Sequence, residues 1–121
     1  GESILVIDDV YEQRELAKAM LKKLGYRVAC ASSGTEAIAY LKTNKADLIV
    51  LDMIMDPGID GLETYQKVLE IEPAQKAIIV SGYSETDKVK KARSLGVGAY
   101  VQKPYILEKL GIAVRNELDK R

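Results

Sequence analysis

Short apolar runs and amphipathic stretches alternate along this chain at a regular spacing. Residues 3–8 contain an unbroken apolar run, Ile4 to Ile7, as expected for a strand covered on both faces. Over residues 11–24 the period becomes helical, placing Leu16, Ala17, Met20, Leu21 and Leu24 on one face, and Gly25 supplies a helix stop. Residues 26–31 form a second strand. Ser33-Gly34-Thr35-Glu36 has capping-box spacing before a short helix striped by Ala37, Ile38 and Leu41. Residues 47–52 make a third strand that ends in Asp52, and Gly61 opens a third helix with Leu62, Tyr65, Val68 and Leu69 at helical spacing, stopped by Pro73.

A fourth strand spans 76–81. Ser84 or Thr86 caps a fourth helix that runs to Leu95 and ends at Gly96. Its apolar face, Val89, Ala92 and Leu95, is thin, so it is the helix expected to be held least firmly. Residues 99–102 form a short fifth strand, and Lys103-Pro104 leads into a last helix over 105–118. The stripe Leu107, Leu110, Val114 and Leu118 is widened by Ile106 and Ala113, while Ile112 points nearly away from it. That excess apolar surface is read as a contact for a partner domain or a second copy. Five strand-helix units with no linker predict one α/β domain over residues 1–121, a parallel sheet with helices on both faces.

Composition narrows the chemistry. The 121 residues include 18 basic and 18 acidic side chains, for zero formal charge, and no Lys/Arg block marks a nucleic-acid surface. No apolar run approaches the ~20 residues of a membrane span, so no membrane insertion is expected. A single cysteine, Cys30, excludes an internal disulfide, and with no signal-peptide pattern the expected setting is cytoplasmic, tethered only if the parent protein is membrane-bound. The start at Gly1, without Met, reads as a module cut from a longer protein. The chain has no histidine, which removes Ser-His-Asp and Cys-His catalysis, His-ligated zinc and histidine acid-base chemistry together.

What remains is a set of strand ends. Asp8 and Asp9 follow the first strand and Asp52 ends the third. If those strands are neighbours, three carboxylates meet in the crevice where open α/β sheets bind ligands. Singly, Asp9 would be a helix cap and Asp8 a solvated strand end. Together they are like charges that a cation must neutralise, and an all-oxygen donor set suits Mg²⁺. Ser81 ends the fourth strand and Lys103 follows the fifth, adding a hydroxyl and a cation, so the combined edge reads as a phosphate site. Gly96-Val97-Gly98 precedes a strand and lacks a third glycine, so it is no dinucleotide loop, and there is no G-x-x-x-x-G-K-S/T for direct nucleotide hydrolysis.

Asp8-Asp9, Asp52, Pro57-Gly58-x-Asp60-Gly61, Ser81-Gly82, Tyr100 and Lys103-Pro104 stand in the order of the response-regulator receiver motifs, and the resemblance covers essentially the whole chain. It implies a flavodoxin-like (CheY-like) three-layer doubly wound sandwich, with a five-stranded parallel sheet of order 2-1-3-4-5 and five helices. It also implies that Asp52 accepts a phosphoryl group from the phosphohistidine of a histidine kinase or histidine phosphotransfer domain. By the same resemblance Asp9, Asp52 and the carbonyl of Ile54 would hold Mg²⁺, with Asp8 reaching it mainly through water. Ser81 and Lys103 would bind the phosphoryl oxygens, and Tyr100 would be the aromatic switch. The Lys103-Pro104 bond would be cis, and the surface of the fourth helix, fifth strand and fifth helix would respond and meet a homodimer or intramolecular partner.

The family places its proline four residues after the phosphoacceptor. Here Pro57 comes five after, with Asp56 as the extra residue. This M-x-M-D-P-G-x-D-G form is similar to that of receivers attached to hybrid sensor histidine kinases. Ile54 and Tyr83 would flank the path of an attacking water, and neither has a group suited to activate it. Two rivals differ in class. An aspartate-nucleophile Mg-dependent phosphohydrolase needs an acid two residues after its nucleophile, where this chain has Ile54. A pseudo-receiver that only binds partners would not need the complete acidic set and Lys103.

Overall fold

The computed structural model describes residues 1–53, 55, 58–82 and 87–120. In chain order the elements are β1 (Ser3–Ile7), α1 (Tyr11–Lys23), β2 (Arg27–Ala31), α2 (Gly34–Thr43), β3 (Leu48–Asp52), α3 (Gly61–Ile71), β4 (Ala77–Ser81), α4 (Asp87–Ser94), β5 (Ala99–Gln102) and α5 (Leu107–Asp119). The strands form one parallel sheet of order β2-β1-β3-β4-β5, as the family resemblance implied. Chain parity divides the core. Leu5, Ile7, Ile49, Leu51, Ala77 and Ile79 face the layer of α2, α3 and α4, whereas Ile4, Val6, Leu48, Val50, Ile78 and Val80 face α1 and α5. A strand that alternates between two buried faces has no polar position to spare, which is why these runs are apolar throughout.

Ser33 caps α2 by accepting the Glu36 N–H at 3.0 Å, as its spacing predicted. The reciprocal half differs, because the Glu36 carboxylate takes the Ser32 hydroxyl at 2.8 Å. Asp60 does the same work for α3, accepting from the Glu63 N–H at 2.9 Å. Asp9 is not the cap of α1. That position is Val10, which has no side-chain cap, and its N–H donates to Asp8 Oδ1 at 3.0 Å. Gly25 ends the helix with φ 97°, a conformation glycine adopts freely.

Several apolar positions differ from the periodic reading. Leu16 on α1, Leu24 just after it, and Leu95 after α4 are exposed, leaving Ala17 and Leu21 as the buried residues of α1 and Val89 and Ala92 as those of α4. The last helix begins at Leu107 rather than at residue 105, because Ile106 is extended. Tyr105 instead packs in the core between the sheet and α5, beside Val101 and Leu110. Ile112 is 62% exposed, as its place on the helix predicted, whereas Ala113 packs against the core and Ile106 lies before the helix, so the apolar excess on α5 itself is Ile112. Ser84 and Thr86, the expected caps of α4, lie outside the described residues.

Candidate functional site

All the polar strand ends fall on one edge of the sheet because the strands are parallel and their registers match. Ile7 lies opposite Leu51, so Asp8 and Asp9 leave β1 beside Asp52. Asp52 lies opposite Val80, which sets Ser81 one step beyond it, and Ser81 pairs in turn with Gln102, immediately before Lys103. The Lys103 N–H donates to the Ser81 carbonyl at 2.7 Å, extending the β4-β5 ladder to the site itself. Five residues from four strand ends thereby converge.

The burial of these groups is unusual for their type. Asp8 is 0%, Asp52 6% and Ser81 2% exposed, whereas Asp9 is half-buried at the rim. Oxygens of Asp8, Asp9 and Asp52 all lie within 4.8 Å of one another, close enough for a single divalent cation to contact one from each. Buried carboxylates that close repel unless positive charge is present. Lys103 supplies part of it, with Nζ 2.7 Å from Asp8 Oδ2 and 3.8 Å from Asp52 Oδ2. The Arg14 guanidinium adds a bond of 2.8 Å to the Asp8 carbonyl.

Gly61, which opens α3, lies directly beneath the backbone of Asp52 and Met53. A Cβ there would stand 2.6 Å from the Asp52 carbonyl oxygen and 2.7 Å from Met53 Cα, so only glycine fits. Its N–H donates to the Met53 carbonyl at 3.1 Å. On the other side of Asp60, Lys88 of α4 pairs with the capping carboxylate. Burial would raise the Asp60 carboxyl, but the Glu63 N–H and the Lys88 ammonium outweigh it and hold it below the usual range. Lys88 is raised in turn by the hydrogen bond to Asp60. The link from the Asp52–Met53 backbone to the α3 cap to α4 is thus continuous.

The expected metal carbonyl at Ile54 lies outside the described residues, as do Asp56, Pro57 and Tyr83. Tyr100 lies opposite Ile79 and packs against the core under α3 and α4. Its hydroxyl is buried and meets no hydrogen-bond partner among the described residues. The Lys103-Pro104 peptide is cis, as expected. Sequence reasoning missed Tyr105 as a site neighbour. Its ring lies under Lys103, with 5.8 Å from Nζ to the centroid. Its phenol is pushed up, first by burial and then by the charges of Asp8 and Asp52. An aromatic residue two positions after the strand-end cation was the available signal.

The response regulator receiver domain model matches residues 4–115. Sporulation initiation phosphotransferase F of Bacillus subtilis is 32% identical over 118 residues, spanning 98% of this chain and 94% of that protein. The C4-dicarboxylate transport transcriptional regulatory protein DctD of Rhizobium meliloti is 30% identical, but the chain spans only 26% of its length. The crystal structure of response regulator protein TrrA from Thermotoga maritima, in complex with Mg²⁺ and BeF, superposes with a TM-score of 0.85 at 32% identity, over 96% of this chain and 98% of that one. With the five-stranded order, the acidic edge and the family match in agreement, the chain belongs to the response regulator receiver domain family.

Proposed function

We propose that residues 1–121 act as one phosphoacceptor module in which Asp52 takes a phosphoryl group from the phosphohistidine of a histidine kinase or histidine phosphotransfer domain. The observation that carries this reading is the convergence of three carboxylates within 4.8 Å, with the Lys103 ammonium between Asp8 and Asp52. The donor set fits Mg²⁺, which takes oxygen ligands and leaves positions for water and phosphate. Asp9 and Asp52 would hold it, with Asp8 behind them. Bound there, the cation neutralises negative charge on the transferring group.

The chain's own residues do the rest by position. An Asp52 carboxylate oxygen attacks phosphorus in line as the phosphorus–nitrogen bond to the imidazole breaks, and the new bond is a mixed anhydride. Lys103 and the Ser81 hydroxyl receive the phosphoryl oxygens, and most of the rate comes from placement and charge. Ser81 drawn toward the phosphoryl group leaves room for Tyr100 to turn, and α4, anchored by two small side chains, follows at little cost. The α4-β5-α5 surface then meets a homodimeric or intramolecular partner.

The chain spans 94% of the sporulation phosphotransferase but only 26% of DctD, so relatives of this module occur both alone and within longer regulators, and a hybrid histidine kinase or multidomain regulator is our reading of the parent. Among the described residues no helix is long and apolar enough to cross a membrane. We place the module in the cytoplasm, tethered where its parent is membrane-bound. Incubation with Mg²⁺ and a small phosphodonor, followed by intact mass, tests the function. One stable phosphoryl adduct supports it. Steady release of free phosphate without adduct would favour a phosphohydrolase, and no reaction a partner-binding module.

A further inference from the structure

We propose that Tyr105 positions the Lys103 ammonium through the face of its ring, making it a specific positioning residue for phosphoryl-group binding. The inference rests on the reading above that Lys103 receives phosphoryl oxygens. Lysine is a point charge on a flexible stem, and ordering it costs rotamer entropy unless something besides its ionic partner confines it. Among the described residues the anionic partners of Lys103 are Asp8 at 2.7 Å and Asp52 at 3.8 Å. Both are taken up in the reaction, Asp52 as acceptor and Asp8 as part of the cation site. The Tyr105 ring is not.

That ring lies 5.8 Å from Nζ, within the reach of a cation–π contact. It is 7% exposed, and the Lys103 side chain is 15% exposed, so the attraction acts with little competing water. Tyr105 is itself fixed, wedged in the core cluster of Val6, Val80, Val101 and Leu110. It stands outside α5, which begins at Leu107, so the ring adds nothing to that helix's stripe. A side chain wanted only for packing there could be Leu or Met. One wanted for its negative face must be aromatic.

Calorimetric titration with Mg²⁺ and beryllium fluoride, a stand-in for the phosphoryl group, tests this. The variants are Tyr105→Phe, Tyr105→Leu and Tyr105→Met, each alone and combined with Lys103→Met, with folding checked by thermal unfolding. Tyr105→Leu should weaken binding about 3- to 30-fold, the range of a partly desolvated cation–π contact, and Tyr105→Phe should remain within about twofold of the natural protein. Tyr105→Met keeps the volume without the ring and should behave as Leu does, which preserves the test if Leu fails to fold. In the Lys103→Met background the Tyr105 substitutions should cost nothing further. An equal loss in both backgrounds would overturn the proposal in favour of plain packing. So would a Phe variant as weak as Leu, or a Leu variant as tight as the natural protein. Failure of the natural protein to bind the probe would overturn the phosphoacceptor reading beneath it.

Discussion

Lys103 makes its close ion pair with Asp8, at 2.7 Å, while its distance to Asp52 is 3.8 Å. The ammonium therefore competes with any divalent cation for the same carboxylates. Two positive charges at these separations repel strongly in a buried edge. Lys103→Met should bind Mg²⁺ more tightly, about 3- to 10-fold by this Coulomb argument, while losing affinity for a phosphoryl analogue. Titration of Mg²⁺ alone checks it, and unchanged or weaker binding would mean that Lys103 and the cation do not share a site.

The close approach of Gly61 to the Asp52 carbonyl makes a second expectation. Gly61→Ala places a methyl 2.6 Å from that oxygen, and the atoms it meets are backbone, which cannot swing aside. We expect a destabilisation of about 1–3 kcal/mol from overpacking, with slower phosphorylation as the Asp52 backbone shifts. Denaturant unfolding and the rate with a small phosphodonor measure the two together. An Ala variant as stable and as fast as the natural protein would show that the loop relaxes freely.

The Asp60 and Lys88 pair should govern how readily α4 opens. Two buried side chains, Val89 and Ala92, hold that helix, so even an exposed ion pair matters there. Lys88→Ala should speed hydrogen exchange of the α4 amides by on the order of twofold, leaving α2 unchanged, and added salt should narrow the difference. Asp60 is held below its usual range, so its contribution is complete above about pH 4 and is lost as pH falls below that. Lys88 is held above its usual range, so its share is complete below about pH 10 and is lost on the alkaline side. Equal α4 exchange in both proteins at neutral pH and low salt would rule the pair out as a latch.

Particular residues show why so much of this was legible in the sequence. Ile4 to Ile7 and Leu48 to Leu51 are apolar at both parities, so their strand character and burial follow from composition, and the strand-end aspartates follow from the strands. Asp8, Asp9, Asp52, Ser81 and Lys103 converge in the structure because each sits at a strand's carboxyl end, which a parallel sheet aligns automatically. Leu16, Leu24 and Leu95 were misjudged for a complementary reason: helical periodicity tells which face is apolar, not how far the sheet beneath extends. Tyr105 was read as helix because nothing local distinguishes a core aromatic from a helix start. The choice of Asp8 as the nearer partner of Lys103, 95 residues away, depends on relative strand heights that no local pattern encodes. Asp60 was visible as a motif member, yet its bond to Lys88 joins two elements separated by a whole strand.

The central claim is that Asp52, and no neighbouring carboxylate, receives the phosphoryl group. Borohydride reduces an aspartyl phosphate to homoserine, so phosphorylation in Mg²⁺ followed by reduction and peptide mass mapping reads the position directly. We predict homoserine at position 52 in the natural protein and none in Asp52→Asn. Homoserine at Asp8 or Asp9, or undiminished phosphorylation of the Asp52→Asn protein, would contradict it.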